Sequence, residues 1–374
     1  MKNSNSEVKR KNKIAVFQQL MRQKKATKPE LSAALNLSVP TVGQLVEELV
    51  AAGLVREDGM AASIGGRRAV SYCPLTRKYL ALGVDITKNH IGFALVDLNG
   101  EMLTHERRKL TFARDEAYQQ KAWGEVLDFL ARNQVETDRL IGVGISVPGI
   151  VSEDRKSLQC SHILGIQWEN WRPEAPPEIT CPCFCFNDAD AACMVECFAA
   201  DSPDNFTFLS LSNTVGGAMV NGRQIVRGIS GRCGELGHVC LVPGGRMCYC
   251  GRRGHYDSYG AAWILAEKAG GSLEQFFARL EQGDPALNAV FEEYLDYLAM
   301  LVQNVIMFTD VPIVLGGYVG SYMGPYLGRL REKVTALDNR GWSSEGHIQL
   351  CRYKIEAAAV GSALFFVEQY IRNL

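Results

Sequence analysis

The sequence lacks any apolar run of about 18 residues, the length that a membrane-spanning helix requires. Its N-terminus is polar and rich in lysine, without the apolar segment of a secretory signal. It also lacks an excess of charge of one sign, since the net charge is −1. That average says nothing about nucleic acid, because it covers segments of different bias. We therefore expect a cytoplasmic protein with no membrane partner.

Cysteine, by contrast, is abundant, with 12 residues in a chain of 374. In a chain of this size without a secretion signal, reduced cysteines are expected rather than disulfides. Cys181, Cys183 and Cys185 alternate as one face of a β-strand does. Hydrophobic residues make up 47% of the chain, which is enough for a sizeable core and for two or three domains.

The N-terminal region predicts three short helices after a basic flank. Apolar residues from Ile14 to Met21 recur at helical spacing. A second helix begins after Thr27, where Glu30 three residues later completes a capping box. Ser38 is the predicted N-cap of a third helix. This spacing is typical of a winged helix-turn-helix.

In that geometry the N-terminal residues of the third helix lie against base edges in the major groove. Ser38, Thr41 and Gln44 are therefore the predicted base contacts, and Gln44 is suited to adenine. A turn at Asp58-Gly59 and then Arg67 and Arg68 on a glycine-rich segment predict a wing that contacts phosphates or the minor groove. The alternative is a helical module that binds protein.

The segment 234–257 combines two kinds of chemistry. His238, Cys248, Cys250 and His255 provide two imidazoles and two thiolates, enough for a closed tetrahedral zinc site. Glu235 and Asp257 flank them with carboxylates that accept hydrogen bonds from hydroxyl groups. The alternative reading is a set of reduced surface cysteines and a histidine with an ordinary partner.

This segment resembles the hallmark of the ROK family (repressors, open reading frames and kinases), Gly-Glu-x-Gly-His followed by Cys-x-Cys-Gly-x-x-Gly-Cys-x-Glu. Two positions differ, since His255 stands in place of the third zinc cysteine and Asp257 in place of the second sugar-contacting glutamate. Histidine is an ordinary zinc ligand, so a structural zinc ion remains expected. The resemblance continues through further short motifs: Val147-Pro-Gly, Asn187-Asp188, Ile313-Val-Leu-Gly-Gly and Ala358-Ala-Val-Gly-Ser-Ala.

The resemblance implies an α/β fold, with an N-terminal winged helix-turn-helix followed by a two-lobed actin-like (ribonuclease H-like) ATPase/sugar-kinase fold. The implied division is residues 1–77 for DNA binding and 78–190 for the smaller lobe, completed by 356–374. Residues 191–355 then form the larger lobe with the zinc segment and a dimerisation surface. The branch most similar is that of the xylose and N-acetylglucosamine type of sugar repressors.

The phosphate loops of kinases in this family are degraded here. Their Asp-x-Gly-Gly-Thr turn reads Asp85-Ile-Thr-Lys-Asn, so that both glycines are lost and side chains enter the space of the phosphates. The second loop, Ser212 to Gly217, keeps only part of its glycines. We therefore expect no ATP binding and no enzyme activity. The alternative is an active sugar kinase with a DNA-binding head, in which Lys88 contacts a phosphate.

The sugar end of the implied site is better kept. Asn187 and Asp188 match the family pair that holds adjacent hydroxyl groups, and Asp188 is at the position of the general base of the kinases. Gly149, Glu235, His238 and Asp257 complete the implied sugar contacts. The alternative for Asn187-Asp188 is a helix cap after a strand.

The sequence thus predicts a sugar-responsive transcriptional regulator of the repressor type. Its expected partners are palindromic operator DNA, a monosaccharide or derivative, and a second copy of the chain in a homodimer or a dimer of dimers. A regulator that responds to zinc or to redox state through its cysteines is the remaining alternative.

Overall fold

The structure is a computed structural model that describes residues 5–60, 69–338 and 344–374. The N-terminal unit contains three helices and a small sheet with strand order β1-β3-β2. Its elements are α1 (Asn5–Gln23), β1 (Ala26–Thr27), α2 (Lys28–Leu35), α3 (Val39–Ala51), β2 (Val55–Met60) and β3 (Val70–Pro74). The predicted three helices and wing strands are therefore present.

Local sequence sets where helices α2 and α3 begin. Thr27 accepts a hydrogen bond from the backbone of Glu30 (3.4 Å), and the Glu30 carboxylate accepts one from the Thr27 backbone (2.7 Å). Ser38 Oγ accepts from Thr41 N at 3.2 Å and caps α3. One expectation was wrong, because Asp58-Gly59 forms no hairpin turn. Both residues lie within β2, where the register shifts and Gly59 has φ +75°.

The next unit is a five-stranded sheet with order β11-β7-β4-β5-β6. Strand β4 lies in its centre, parallel to β7 and antiparallel to β5, and all seven of its residues are buried. A smaller sheet, β10-β9-β8, extends from it. The elements are β4 (Leu80–Ile86), β5 (His90–Asp97), β6 (Met102–Lys109), α4 (Glu116–Arg132), β7 (Leu140–Val147), β8 (Ile150–Val151), β9 (Leu158–Ser161), β10 (Ile166–Trp171) and β11 (Cys183–Asn187).

The second five-stranded sheet has the order β14-β13-β12-β15-β16 and carries most of the remaining helices. Its elements are α5 (Asp188–Phe198), β12 (Phe206–Leu211), β13 (Val215–Asn221), β14 (Gln224–Ile225), α6 (Asp257–Gly260), α7 (Ala262–Glu267), α8 (Leu273–Glu281), α9 (Pro285–Thr309), β15 (Ile313–Gly316), α10 (Gly317–Gly320), α11 (Leu327–Leu337), β16 (Ile348–Leu350) and α12 (Ala357–Arg372). The predicted α/β class is confirmed. Among the described residues, no helix is both long and apolar enough to cross a membrane.

The C-terminal helix α12 returns to the first sheet, where it contacts β4, β5 and β7, and it packs along α5. Close approach depends on glycine at two positions. A Cβ on Gly361 would lie 1.7 Å from the carbonyl oxygen of Ala191, and one on Gly83 would lie 1.7 Å from that of Ala359. The carboxyl ends of β4, β7 and β11 meet beside these helices. Clefts outside such strand ends are the usual ligand sites of α/β sheets.

Candidate ligand cavity and metal centre

A cavity of about 680 Å³ opens at the carboxyl end of β11 and extends to the segment 231–252. Five of the six predicted sugar contacts line it: Gly149, Asn187, Asp188, Glu235 and His238. They come from chain segments almost 90 residues apart, and the fold brings them together. Asp257 is not among the lining residues.

Asn187 and Asp188 have different tasks in this geometry. Asn187 is the N-cap of α5, where its side-chain oxygen accepts from Ala189 N (2.9 Å) and Asp190 N (3.0 Å). Its amide nitrogen donates to the carbonyl of Gly149 at 3.0 Å. The alternative reading of Asn187 as a helix cap therefore describes much of what this side chain does. Asp188 accepts from Ala189 N at 2.9 Å, and its carboxylate also borders the cavity as an acceptor.

The acids around the cavity hold their protons more tightly than usual. Burial raises the pKa of Asp188 to about 7, and the negative charge of Asp85 adds to the shift. Burial also raises the pKa of Asp190 to about 6, although Arg227 and Arg155 oppose the shift. The pKa of Glu235 is raised by burial as well, against Arg232 and His162. Near neutral pH, Asp188 and Asp190 can therefore either donate or accept a hydrogen bond, which suits them to hydroxyl groups.

The four predicted metal ligands lie together beside this cavity. One ligand atom from each of His238, Cys248, Cys250 and His255 lies within 4.8 Å of all the others. Two positive-φ glycines, Gly251 and Gly254, allow the chain to turn back between Cys250 and His255.

The separations between these atoms are close to those of a tetrahedral zinc site. His238 Nδ1 is 3.3 Å from His255 Nδ1, which is 3.2 Å from Cys250 Sγ. Cys248 Sγ is 3.9 Å from His238 Nδ1. Tetrahedral bonds of ~2.1 Å to nitrogen and ~2.3 Å to sulfur place ligand atoms roughly 3.3–3.8 Å apart. The four residues therefore fit a zinc ion, with His255 in the position of the family cysteine.

Asp257 does not line the cavity but holds a residue that does, Val215. Its side chain is buried and accepts a hydrogen bond from Val215 N at 2.6 Å. Burial raises its pKa to about 6. Val215 is the first residue of β13, so Asp257 connects the metal segment to the start of that strand.

A second cavity of about 300 Å³ adjoins the first and is lined by the turn from Asp85 to His90. The guanidinium group of Arg107 enters it from β6. Arg107 donates to Glu356 (2.8 and 3.1 Å), to Asp85 (3.3 Å) and to the Tyr318 hydroxyl (2.6 Å). Ser146 donates to the other oxygen of Asp85 at 2.9 Å. An internal cation thus neutralises the acids at the ends of β4 and α12 and contacts the second lobe through Tyr318.

The predicted DNA contacts lie on one exposed part of α3. Ser38, Thr41 and Gln44 are all exposed, and Gln44 Nε2 donates to Glu48 at 3.3 Å. The capping role of Ser38 joins it to Thr41, since their hydroxyl oxygens are 2.8 Å apart. Arg67 and Arg68 fall outside the described residues.

Sequence reasoning missed two groups of residues at these cavities. The cluster of Arg107, Glu356 and Tyr318 has no local signal, because Arg107 lies more than 200 residues from both of its partners. The aromatic residues Trp168 and Tyr249 line the larger cavity. Tyr249 had one available signal, its position between the two cysteines of the metal segment.

Comparison with known families gives two matches. Residues 81–369 match the ROK family, and residues 9–56 match the winged helix-turn-helix DNA-binding family. The xylose repressor of Bacillus subtilis (strain 168) is 28% identical over 265 residues, which are 69% of this chain and 67% of that protein. The DNA-binding transcriptional dual regulator NagC of Escherichia coli (strain K12) is 26% identical over 273 residues, covering 72% and 66%. The matches thus span about two thirds of these relatives.

Solved structures show the same fold. A ROK family transcriptional regulator, a homolog of the E. coli MLC protein, superposes with a TM-score of 0.75 at 20% identity over 98% of this chain and 97% of the other. A ROK family glucokinase from Streptomyces griseus, in complex with glucose and AMPPNP, has a TM-score of 0.64 at 21% identity, covering 76% and 98%. The kinase therefore matches a part of the chain, whereas the regulator matches nearly all of it.

Proposed function

The chain belongs to the ROK family, and on that basis we propose that it is a sugar-responsive, DNA-binding transcriptional regulator that acts as a repressor. The observation that carries this proposal is that a winged helix-turn-helix precedes a body whose larger cavity is lined by the acids Asp188 and Glu235. The cleft of the phosphate loops, by contrast, holds an internal arginine. The repressor names of the relatives agree with it.

We assign DNA reading to residues 1–77, with Ser38, Thr41 and Gln44 at base edges and Arg67 and Arg68 at the wing. The body then divides into a smaller lobe of residues 78–190 with 356–374 and a larger lobe of residues 191–355. A homodimer would place two α3 helices on a palindromic operator, because half-site spacing follows the symmetry of the protein.

The effector we propose is a sugar, held by the acceptors of the larger cavity. Asp188, Glu235 and His238 offer side-chain contacts to hydroxyl groups. Gly149 lets the backbone lie close to the sugar, and Asn187 fixes the end of β11 by donating to the Gly149 carbonyl. Asp257 contributes indirectly, because it holds the backbone of Val215. Such a site rejects analogues that lack a hydroxyl group, since its buried polar groups are then left without partners.

The same geometry favours sensing over phosphoryl transfer. A kinase needs room and positive backbone amides for the phosphates of its nucleotide. Here the Arg107 side chain lies in the corresponding cleft with its guanidinium bonded to Asp85 and Glu356. We infer that ATP is not a cofactor and that Asp188 serves as a hydrogen-bond partner of the sugar, not as a general base.

Zinc is the cofactor that the donor set fits. His238, Cys248, Cys250 and His255 would hold it, and its contribution is to fix the fold of the segment 234–257. With Nδ1 of His238 on the zinc, its Nε2 would face the cavity, where it lies 3.2 Å from the Tyr249 hydroxyl oxygen. Purified protein should contain about one zinc per chain. His255→Cys should retain it and Cys248→Ser should lose it, as measured by metal analysis.

The proposed response is a shift between two arrangements of the lobes. Asp188 is the first residue of α5, which packs along α12. Near the end of α12, the Tyr370 ring lies 5.3 Å from that of Tyr79, directly after the DNA-binding unit. Ligand at Asp188 therefore has a short route to the segment that orients the DNA reader.

The test measures sugar and DNA together. A duplex selected from a random pool is titrated with the full chain by fluorescence anisotropy, with and without each sugar of a panel. At least one sugar should change the Kd for DNA by roughly 5–150-fold. Asp188→Ala should remove this response and leave DNA affinity in the absence of sugar unchanged, whereas the exposed Asp128→Ala should change neither. A normal response of Asp188→Ala means that the assigned pocket is wrong.

Two results would favour the rival functions. Turnover well above background in a coupled assay with hexoses and amino sugars would make the protein a kinase. Release of DNA by a chelator or an oxidant, with no response to any sugar, would make it a metal or redox sensor.

A further inference from the structure

Strand β10 contains an irregular segment that borders the larger cavity. Gln167 pairs with Cys160 and Trp171 pairs with Leu158, so that three residues of β10 lie opposite one residue of β9. Within this bulge, Trp168 has φ +59° and Asn170 has φ +50°. A bulky residue rarely adopts this conformation unless its surroundings impose it. Bulges beside binding sites commonly redirect a side chain.

The neighbours of Trp168 hold the bulge to the body of the protein. Glu169 forms an ion pair with Arg114. The Trp171 ring is buried and lies 5.3 Å from the ring of Phe112. Trp168 between these anchors is left 59% exposed and lines the cavity. The bulge thus presents one large aromatic side chain to the ligand space.

Two further rings line the same cavity. The ring of His162 lies 6.1 Å from that of Tyr249 at an angle of 65°. The Tyr249 hydroxyl is fixed by His238 Nε2 at 3.2 Å. We call His162, Trp168 and Tyr249 the aromatic wall. It lies in the same cavity as the acids Asp188 and Glu235 but has a different chemistry, since a flat ring binds apolar faces.

We propose that the aromatic wall is a second subsite, which binds the second ring of a disaccharide whose first ring lies at Asp188 and Glu235. This inference rests on the proposed function. A pyranose ring has hydroxyl groups at its edge and an apolar C–H face, so the acids of the cavity match the edge of one ring and the exposed Trp168 matches the face of the next. A volume of about 680 Å³ is within the range of cavities that enclose ligands larger than one ring.

The test compares each monosaccharide with its disaccharides on the full chain. The probes are glucose with maltose and cellobiose, xylose with xylobiose, and N-acetylglucosamine with chitobiose, measured by thermal shift and titration calorimetry. We expect at least one disaccharide to bind about tenfold more tightly than its monosaccharide, which is the scale of one aromatic stacking contact. Trp168→Ala should remove this preference and leave the Kd of the monosaccharide unchanged, and Trp168→Phe should retain most of it.

Trp263 provides the matched control, because it is a comparably exposed tryptophan (45%) on α7 and is not among the lining residues. Trp263→Ala should bind both sugars as the unchanged protein does. Binding of a monosaccharide without binding of any disaccharide overturns the second subsite and leaves the proposed function standing. Equal loss of both sugars in Trp168→Ala also overturns it, because Trp168 then belongs to the first ring. Failure of every sugar contradicts the proposed function itself.

Discussion

Arg107 is the cation that lies among the acids of the smaller cavity. Its guanidinium bonds to Glu356, whose side chain is only 3% exposed, and to Asp85, at 9%. Burial raises the pKa of Asp85 to about 6, and the charge of Arg107 opposes that shift. Asp85 therefore depends on this cation for its charge.

Replacing Arg107 should consequently destabilise the fold. Arg107→Met leaves Asp85 and Glu356 buried without a counter-ion, and we expect the free energy of unfolding to fall by about 3–5 kcal/mol. Arg372→Ala removes an exposed pair with Glu368 and should cost no more than about 1 kcal/mol. Urea denaturation of the three proteins measures both effects. Equal midpoints for Arg107→Met and the unchanged protein would show that Arg107 does not stabilise the fold through these acids.

Asp188 predicts a pH dependence with a definite sign. A carboxyl group whose pKa is raised to about 7 binds more protons folded than unfolded between about pH 4 and 7. Its contribution to stability is therefore present at low pH and is lost as the pH rises through 7. The ligand-free protein should lose stability from pH 5 to 8, and Asp188→Asn should lose less. Denaturation at several pH values measures the slopes, and parallel slopes would contradict the shifted pKa.

At the scale of elements, the contact between α5 and α12 connects the larger cavity, where α5 begins at Asp188, to the C-terminal helix of the chain. Gly361 allows it, because any side chain there would overlap the carbonyl group of Ala191. The pair is also fixed at its other end, where Glu196 on α5 accepts from Arg352 at 3.1 Å just before α12.

Gly361→Ala should therefore lower the free energy of unfolding by about 1–3 kcal/mol, the usual cost of overpacking. Gly124 on α4 is the control, since a Cβ there meets no atom within 4 Å. Gly124→Ala should stabilise the protein by about 0.5–1 kcal/mol through the helix propensity of alanine. Chemical denaturation of both variants distinguishes them, and a stable Gly361→Ala would show that the helices lie further apart.

The recognition helix α3 carries a separate prediction. Gln44→Ala should relax the base preference at one operator position by about 1–3 kcal/mol. Gln120 on α4 makes the same kind of contact with a glutamate four residues away (3.0 Å, against 3.3 Å for Gln44 and Glu48). Gln120→Ala should leave the preference unchanged. Anisotropy against a set of single-base operator variants measures it, and an unaltered profile for Gln44→Ala removes this residue from the base contacts.

At the scale of the whole molecule, the short segment of residues 76–78 joins the DNA-binding unit to the body. Lys78 donates to the carbonyl of Ala52 in the reader (2.8 Å), and Leu98 in the body donates to that of Thr76 (3.0 Å). Arg139 donates to the carbonyl groups of Arg77 and Lys78. The segment is thus bonded on both sides, as a coupling element requires.

Arg139→Ala should weaken the coupling between sugar and DNA. We expect the factor by which sugar changes the Kd for DNA to move toward 1, with each separate affinity changed by less than about twofold. By linkage, DNA must change the affinity for sugar by the same reduced factor. Arg132→Ala, which removes a bond to Glu106 away from this segment, should keep the full factor. Full coupling in Arg139→Ala would exclude this role.

The sequence by itself determined the features that depend on neighbours along the chain. The Thr27–Glu30 capping box and the Ser38 cap each need residues only three apart, and the four predicted metal ligands lie within 18 residues. Side chains so close together are brought together by local backbone geometry, which composition and spacing describe directly.

Only the tertiary structure decided how the cavities are lined. Arg107 meets Glu356 across 249 residues, Asn187 is used by the cap of α5, and the bulge of β10 turns Trp168 to the ligand space. These arrangements depend on which strands pair and on where the register shifts. The identity of a residue does not contain that information, because long-range packing sets the partner of each side chain.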